Sequence, residues 1–374
     1  MTTIQANNAN SPSGKNATAV ESEFAFEIEY IDQNDELLAR RRLEPQDFSH
    51  AIRYTKFDAF RLGITQQYVP TTTGACVEPV FPDDRGASPR AKGFTVSVPL
   101  ASRDPLTGSE FHCHEFDIGY FRQSANRLRA QLQREEKLSD DQEVYFRLNA
   151  LLDDETTEVQ QPKLNISLDP PSSLQVAAGC RRDYGQAEAW DDPVYADLPV
   201  LIEHGVLEES VFEARDNEQR EIAGFLLGRV HNDERNKEAF VAVTGLASSA
   251  GTTEADETSV TYTPASFAHV REMIKLRNRG EVVVGWYHSH PFKLCAECPL
   301  PTPPECIAKI LFYSSDDFHL METTFEQPYM VGLLAAVESR LEAAVGHLPV
   351  KLYGWREGQI KERGFEVFRA EGTS

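Results

Sequence analysis

The sequence predicts an α+β chain of two domains, and three observations carry that expectation. Apolar residues alternate with period two at Phe24, Phe26, Ile28 and Tyr30, and again at Phe94, Val96 and Val98, the pattern of half-buried strands. The windows 122–137, 204–215 and 264–279 place apolar residues about one turn apart among charged ones, as in helices that bury one face. Between the halves, Asp169-Pro170-Pro171-Ser172-Ser173 opens a polar, acidic stretch that reaches about Ala196. The expected division is a disordered tail at 1–23, an N-terminal domain rich in antiparallel sheet at 24–170, a linker at 171–196 and a second domain at 197–374.

The elements follow in order. After the Asn-, Ala- and Ser-rich tail, Phe24 to Tyr30 predicts a strand, Asp32 to Asp35 a turn, and Leu37 to Leu43 a returning strand. Glu44-Pro45 opens a helix carrying Phe48, Ile52 and Phe57 inward, and Thr71 to Lys92 predicts a long loop. Gly93 to Leu100 is the next strand. Phe111 to Phe116, F-H-C-H-E-F, places His112 and His114 on one polar strand face; with no third ligand nearby, this pair predicts a polar face and not a metal site. A helix follows at Arg122–Lys137 with Leu128 and Leu132 inward, then strands at Val144–Leu152 and Leu164–Leu168. No chemical motif stands out in this half.

In the second half, Leu198–Ile202 predicts a strand and His204–Arg215 a helix burying Leu207, Val211 and Phe212. Strands are expected at Glu221–Val230 and Ala239–Leu246, and Ala247–Glu257 predicts a solvated connection. Pro264 suits the first turn of a helix to Arg279 with Phe267, Val270 and Ile274 on one face. Tyr329–Val337 predicts a core strand, and L-Y-G-W-R-E-G-Q-I a closing hairpin.

With 37 Lys and Arg against 59 Asp and Glu, the net charge is −22, a field that repels nucleic acid and anionic membrane surfaces. No nucleic-acid or membrane partner is therefore expected, and a partner with a basic face fits better. No secretory signal or apolar run long enough to span a bilayer is seen, and the six Cys do not suggest a disulfide framework. The expectation is a soluble, cytoplasmic protein.

The chemistry lies between Glu281 and Asp317. Val282, Val283 and Val284 predict a buried strand, and His288 and His290 lie at its far end, two residues apart. In an extended chain both imidazoles project to one face and can chelate one ion. Ser314 and Asp317 follow in S-x-x-D spacing, and Asp317 can supply an oxygen ligand. Two His and one carboxylate leave a tetrahedral position open, as in a catalytic zinc site. Read alone, Ser314 is also a fair helix N-cap.

The set resembles the JAMM motif of the MPN (JAB) metalloprotease family: an upstream Glu, H-S-H-P, then S-x-x-D. Here these are Glu221 in E-I-A-G-F-L-L-G, His288-Ser289-His290-Pro291, and Ser314 with Asp317. The resemblance runs from about Leu198 to about Phe368 and leaves the N-terminal domain without a recognised family. It implies a mixed sheet with flanking helices and one catalytic Zn2+ on His288, His290 and Asp317. It also implies Glu221 as general base and Ser314 as hydrogen-bond donor to the developing oxyanion. The implied activity is deubiquitinase-like hydrolysis of a peptide or isopeptide bond after the C-terminal glycine of a ubiquitin-like modifier. A ubiquitin-like protein or its conjugates would be the partner, with a dimer or a complex with modifier-pathway proteins also open. The alternative is a catalytically silent MPN scaffold that binds partners.

One departure is an insertion at 292–313, which separates Pro291 from Ser314 by 22 residues, more than the family pattern usually has. It carries Cys295, Cys298 and Cys306 among several prolines. Three readings are open: a second, structural zinc on the three thiolates with His319 as fourth ligand, a redox-sensitive dithiol, or three ordinary thiols.

Overall fold

The alternating run at Phe24 becomes β1 (Phe24–Ile31), with Phe26, Ile28 and Tyr30 buried. The Asp32 carboxylate accepts the N–H groups of Asn34 and Glu36, closing a turn that returns the chain as β2 (Leu37–Arg42), antiparallel to β1. Pro45 opens a 3-10 turn that runs into α1 (Ser49–Arg61). Then come β3 (Cys76–Val80), β4 (Arg90–Ala91), β5 (Gly93–Pro99), β6 (Phe111–Asp117), α2 (Arg122–Arg134) and β7 (Tyr145–Leu152). The strands form two antiparallel sheets, β2-β1-β7-β4 and β3-β5-β6. Their core is aromatic: Phe48 packs against Phe26, Phe94 and Phe121 at centroid distances of 5.2, 5.1 and 6.0 Å. The loop predicted over Thr71–Lys92 instead supplies β3 and β4. Val77 is buried in so short a run that the surrounding Gly and Pro signals mask it.

This computed structural model describes residues 22–83, 88–101, 107–139, 142–152, 174–191, 197–249, 253–255, 260–299 and 301–370. Residues 1–21 of the predicted tail and the strand predicted at Leu164–Leu168 lie outside them.

The second half continues with β8 (Val176–Ala178), β9 (Glu188–Trp190), β10 (Val200–Glu203), α3 (His204–Asp216), β11 (Ala223–Asp233) and β12 (Glu238–Ser248). Next are β13 (Thr253–Ala255), β14 (Val260–Tyr262), α4 (Pro264–Arg277), β15 (Val282–His290), α5 (Pro304–Ala308) and α6 (Ser315–Thr323). The chain closes with β16 (Val331–Ala336), α7 (Ser339–Val345), β17 (Val350–Arg356), β18 (Gln359–Arg363) and β19 (Phe365–Phe368). A mixed sheet runs β18-β17-β16-β15-β11-β12-β10-β19-β9, with β8 against β11. The closing hairpin turns at Glu357-Gly358, both at positive φ, as a tight two-residue connection requires.

Three expectations are corrected. The stretch 171–196 is not only a linker, since β8 pairs with β11 and β9 pairs with β19; these strands are too short for their alternation to stand out among polar neighbours. Phe212 is 65% exposed while Val206, Leu207 and Val211 are buried, because Phe212 lies about 100° round α3 from Val211. Within Ala247–Glu257, β12 extends to Ser248 and β13 pairs with β14, so part of the expected connection is a hairpin.

The two halves share side chains through α1. Ala51 and Ile52 belong to the N-terminal core, whereas Phe57 and Phe60 enter the core under the large sheet, together with Tyr68. Tyr68 donates from its hydroxyl to Gln327 Oε1 at 2.9 Å, and Arg53 pairs with Glu326 at 2.9 Å. His50 stacks on Trp355 of β17 at 4.5 Å, with Nδ1 buried and unpartnered. Burial, reinforced by the Arg53 and Arg127 charges, holds the His50 imidazole down from 6.5 to about 4. Between those values the unfolded chain binds the proton and the folded chain does not, so His50 costs stability as pH falls through that window. The cost is on the order of 1–3 kcal/mol. Thermal melts followed by circular dichroism should show His50→Phe losing less stability than the parent between pH 6.5 and about 4. An equal loss in both would remove His50 from this role.

Candidate metal centre

The large sheet places β15 between β11, antiparallel, and β16, parallel. Gly285 is required where β15 passes β16, since a Cβ there would collide with the Val331 carbonyl oxygen. At the end of β15, His288 and His290 face one side and Ser289 the other. Ser289 is fully buried; its N–H donates to Ile222 O at 2.9 Å and its hydroxyl accepts the Ile222 N–H at 3.1 Å. This continues the pairing of Ala223 with His288 and draws Glu221 towards His290, Oε1 to Nε2 being 3.8 Å.

Asp317 arrives from α6. Ser314 is its N-cap: the Ser314 hydroxyl accepts the Asp317 N–H at 3.2 Å, and Asp317 Oδ2 accepts the Ser314 N–H at 2.7 Å. That box fixes the Asp317 rotamer and leaves Oδ1 3.2 Å from His288 Nε2. The ligand atoms of His288, His290 and Asp317 all lie within 4.8 Å of one another, and all three side chains are buried. His290 Nδ1 donates to the Ile310 carbonyl at 2.9 Å, which turns the lone pair of Nε2 towards the two carboxylates. His288, 1% exposed and stacked on Trp286 at 4.5 Å, makes no aligned hydrogen bond through either nitrogen. A buried imidazole in that state is costly, and a cation among the three ligand atoms relieves it.

The ionisation states agree with that fit. Burial pushes the Asp317 carboxyl upward, but the His288 charge, the close approach of the His288 and His290 rings and the hydrogen bond from the Ser314 N–H outweigh it, holding Asp317 well below the usual carboxylate range. Burial lowers the His288 imidazole more than Asp317 raises it. A carboxylate with a neutral His288 is the ligand form that N,N,O coordination of zinc needs. His288 and Asp317 open onto a groove of about 420 Å³ that Glu221, Ser314, Tyr262 and His319 also line, with His290 behind them, 3.8 Å from both Glu221 and Asp317.

The insertion behaves differently. Cys298 N–H donates to Cys295 O at 3.1 Å, and the Cys298 thiol, pushed up to about 11 by burial and by its contacts with Cys306 and Cys295, sits between the other two. Among the described residues, however, the three cysteines and His319 do not form a ligand group like that of His288, His290 and Asp317. His319 lies on the exposed side of α6. The loop has other sources of order. Leu294, Ile310, Leu311 and Tyr313 are buried, Glu338 accepts the Leu294 N–H at 2.9 Å, and Arg340 donates to the carbonyls of Leu294 and Cys295 at 2.7 and 3.2 Å.

The sequence pattern groups His288, His290, Asp317, Glu221 and Ser314; the structure places four of them at this groove and His290 beside it, 3.8 Å from Glu221 and from Asp317. The pattern includes Ser289 without giving it a role and passes over the Ile310 carbonyl. Ser289 is visible as a small polar residue on the inward face of a strand, whereas a carbonyl contact 20 residues away in sequence leaves no trace.

Residues 198–297 match the family model described as JAB1/Mov34/MPN/PAD-1 ubiquitin protease. The chain thus carries a JAB/MPN domain, which supports the MPN family. The matched span contains Glu221, His288 and His290 and ends inside the cysteine-bearing insertion, before Ser314 and Asp317. Among solved structures, the solution structure of protein DSY2949 from Desulfitobacterium hafniense is 18% identical and covers 46% of this chain and 94% of its own, at a TM-score of 0.29. A comparison with curated proteins finds no match.

Elemental analysis should find about one divalent metal ion per chain, falling to near zero in His288→Ala because two ligands hold such an ion weakly. Cys298→Ser should leave the stoichiometry unchanged; a fall in that variant would restore the second, structural site. Ser289→Ala should lower stability by about 1–3 kcal/mol in denaturant titrations, since the buried Ile222 N–H loses its acceptor.

Proposed function

We propose that this chain is a zinc-dependent peptidase of the deubiquitinase-like kind, hydrolysing a peptide or isopeptide bond after the C-terminal glycine of a ubiquitin-like modifier. The observation that carries the reading is the buried His288, His290 and Asp317 group with the Glu221 carboxylate beside it, at a groove that His288, Asp317 and Glu221 line. The family match supports the proposed substrate class.

When bound, zinc supplies a Lewis acid and lowers the pKa of water towards about 7. The chain's own residues do the rest. His288 presents a neutral imidazole nitrogen, and His290 an Nε2 oriented by the hydrogen bond from its Nδ1 to the Ile310 carbonyl. Glu221, anchored by the Ile222–Ser289 pairing, is not needed as a ligand and stands where it can take a proton from the attacking water and return it to the leaving amine. Ser314 accepts the Asp317 N–H, so its own hydroxyl proton is left to donate to the oxygen of the scissile carbonyl as charge develops there. Tyr262, Phe267 and Trp286 wall the groove and exclude water from one side.

Glu221→Gln keeps the volume of the side chain and removes its basicity. It should retain about one zinc per chain while cleavage of a ubiquitin-like fusion falls by about 10²–10⁴-fold, the usual contribution of a positioned acid–base group. Loss of zinc from folded Glu221→Gln would make Glu221 a ligand. A parent protein that binds little zinc and cleaves nothing would leave the chain a binding scaffold.

A further inference from the structure

The charge on this chain is unevenly distributed. Residues 37–42 and 122–134 hold seven arginines and no Asp or Glu, leaving 30 Lys and Arg against 59 Asp and Glu in the rest of the chain. These two segments are β2 and α2, and they face α6 across a groove of about 1070 Å³. Arg40, Arg41, Arg127 and Arg134 line it, against Asp316 and Glu322 on α6. Apolar surface lies between them, from Ala39, Leu128 and Phe318. Asp316 and His319 line this groove and the metal-site groove alike, so the two are continuous around the start of α6.

The wall formed by β2 and α2 is therefore rich in arginine, in contrast to the chain as a whole, although its arginines stand beside carboxylates. Arg40 is 2.6 Å from Glu29, Arg41 is 3.0 Å from Asp47, and Arg127 pairs with Glu322. Such partly exposed pairs contribute little to stability, so carboxylates of an incoming chain can compete for the guanidiniums at small cost. Arginine forks favour carboxylates in two-point contact, and the apolar strip accommodates the side chains between them. A nucleic acid presents the same sign of charge over a far longer surface and would meet the remaining acidic face, which a short acidic peptide avoids.

We infer that the groove between β2, α2 and α6 binds an acidic, extended segment of the polypeptide whose scissile bond enters the metal-site groove. The N-terminal half would then act as a specificity element, with Arg40, Arg127 and Arg134 as its contacts. The inference rests on the peptidase reading for the identity of its ligand, but binding is measurable without turnover.

A short fluorescein-labelled peptide of alternating Glu and Leu, its Lys/Leu counterpart and a short DNA duplex would be titrated against the full chain by fluorescence anisotropy. The acidic peptide should bind with an affinity that falls with salt, and should slow amide exchange in α2 and α6. Its affinity should drop about tenfold in the Arg40→Ser, Arg134→Ser double variant, whose melting temperature should match the parent's. Glu221→Gln should bind the peptide as the parent does. Unchanged affinity in the double variant, or no binding by the parent, would overturn the inference; DNA outcompeting the acidic peptide would make the groove a nucleic-acid surface and overturn it too. Peptidase activity without acidic-peptide binding would sink this inference alone. Acidic-peptide binding without any peptidase activity would sink the catalytic reading and leave the groove as a docking site.

Discussion

The main-chain pairing of β15 with β11 on one side and β16 on the other is the constraint on which the rest depends. Strand pairing fixes Ala223 opposite His288 and Leu334 opposite the same residue, so the two histidines cannot move without breaking the middle of the sheet. Ser289 extends that constraint by one residue beyond the regular ladder, through both its N–H and its hydroxyl. A one-residue slip would turn His288 and His290 to the opposite face and bring Ser289 to the groove. The capping box of α6 is the matching constraint on Asp317, since the same carboxylate that closes the helix end faces the histidines.

Around this frame the N-terminal half is more than an appended unit. α1 contributes to both cores, and Tyr329, on which Phe57 and Tyr68 pack at 6.2 and 6.4 Å, would lose that cover if the first half were removed. Burying one such side chain stabilises by about 1.5–3 kcal/mol. Ion pairs and hydrogen bonds reach from this half to the segment that follows Asp317: Arg127 to Glu322, Arg53 to Glu326 and Tyr68 to Gln327. The helix that holds the third ligand is thus braced from outside the matched JAB/MPN span.

The total charge of −22 describes the far field and hides a basic wall beside the groove. Arginines on β2 and α2 lie 80 or more residues apart in the chain, and only the fold makes one surface of them. No helix among the described residues is long and apolar enough to cross a membrane.

The sequence by itself determined what rests on local pattern. Alternation marks β1 and β5, a β-branched run marks β15, helical spacing marks α2, α3 and α4, and the period of two in a strand is enough to place His288 and His290 on one face. Ligand identity is legible for the same reason, because His-x-His and S-x-x-D each occupy a single element whose geometry is nearly fixed. What depends on distant contacts is not. β8 and β9 are too short to announce themselves and exist through pairing with β11 and β19. Phe212 is as apolar as its buried neighbour Val211, and only the packing of α3 decides which of them faces water. The cysteine loop suggests a metal because its own composition offers little core, yet the buried Leu294 and the Glu338–Arg340 pair supply its order from another part of the chain. Tertiary structure decided those cases because the stabilising partner lies far away in sequence, where composition and spacing carry no information about it.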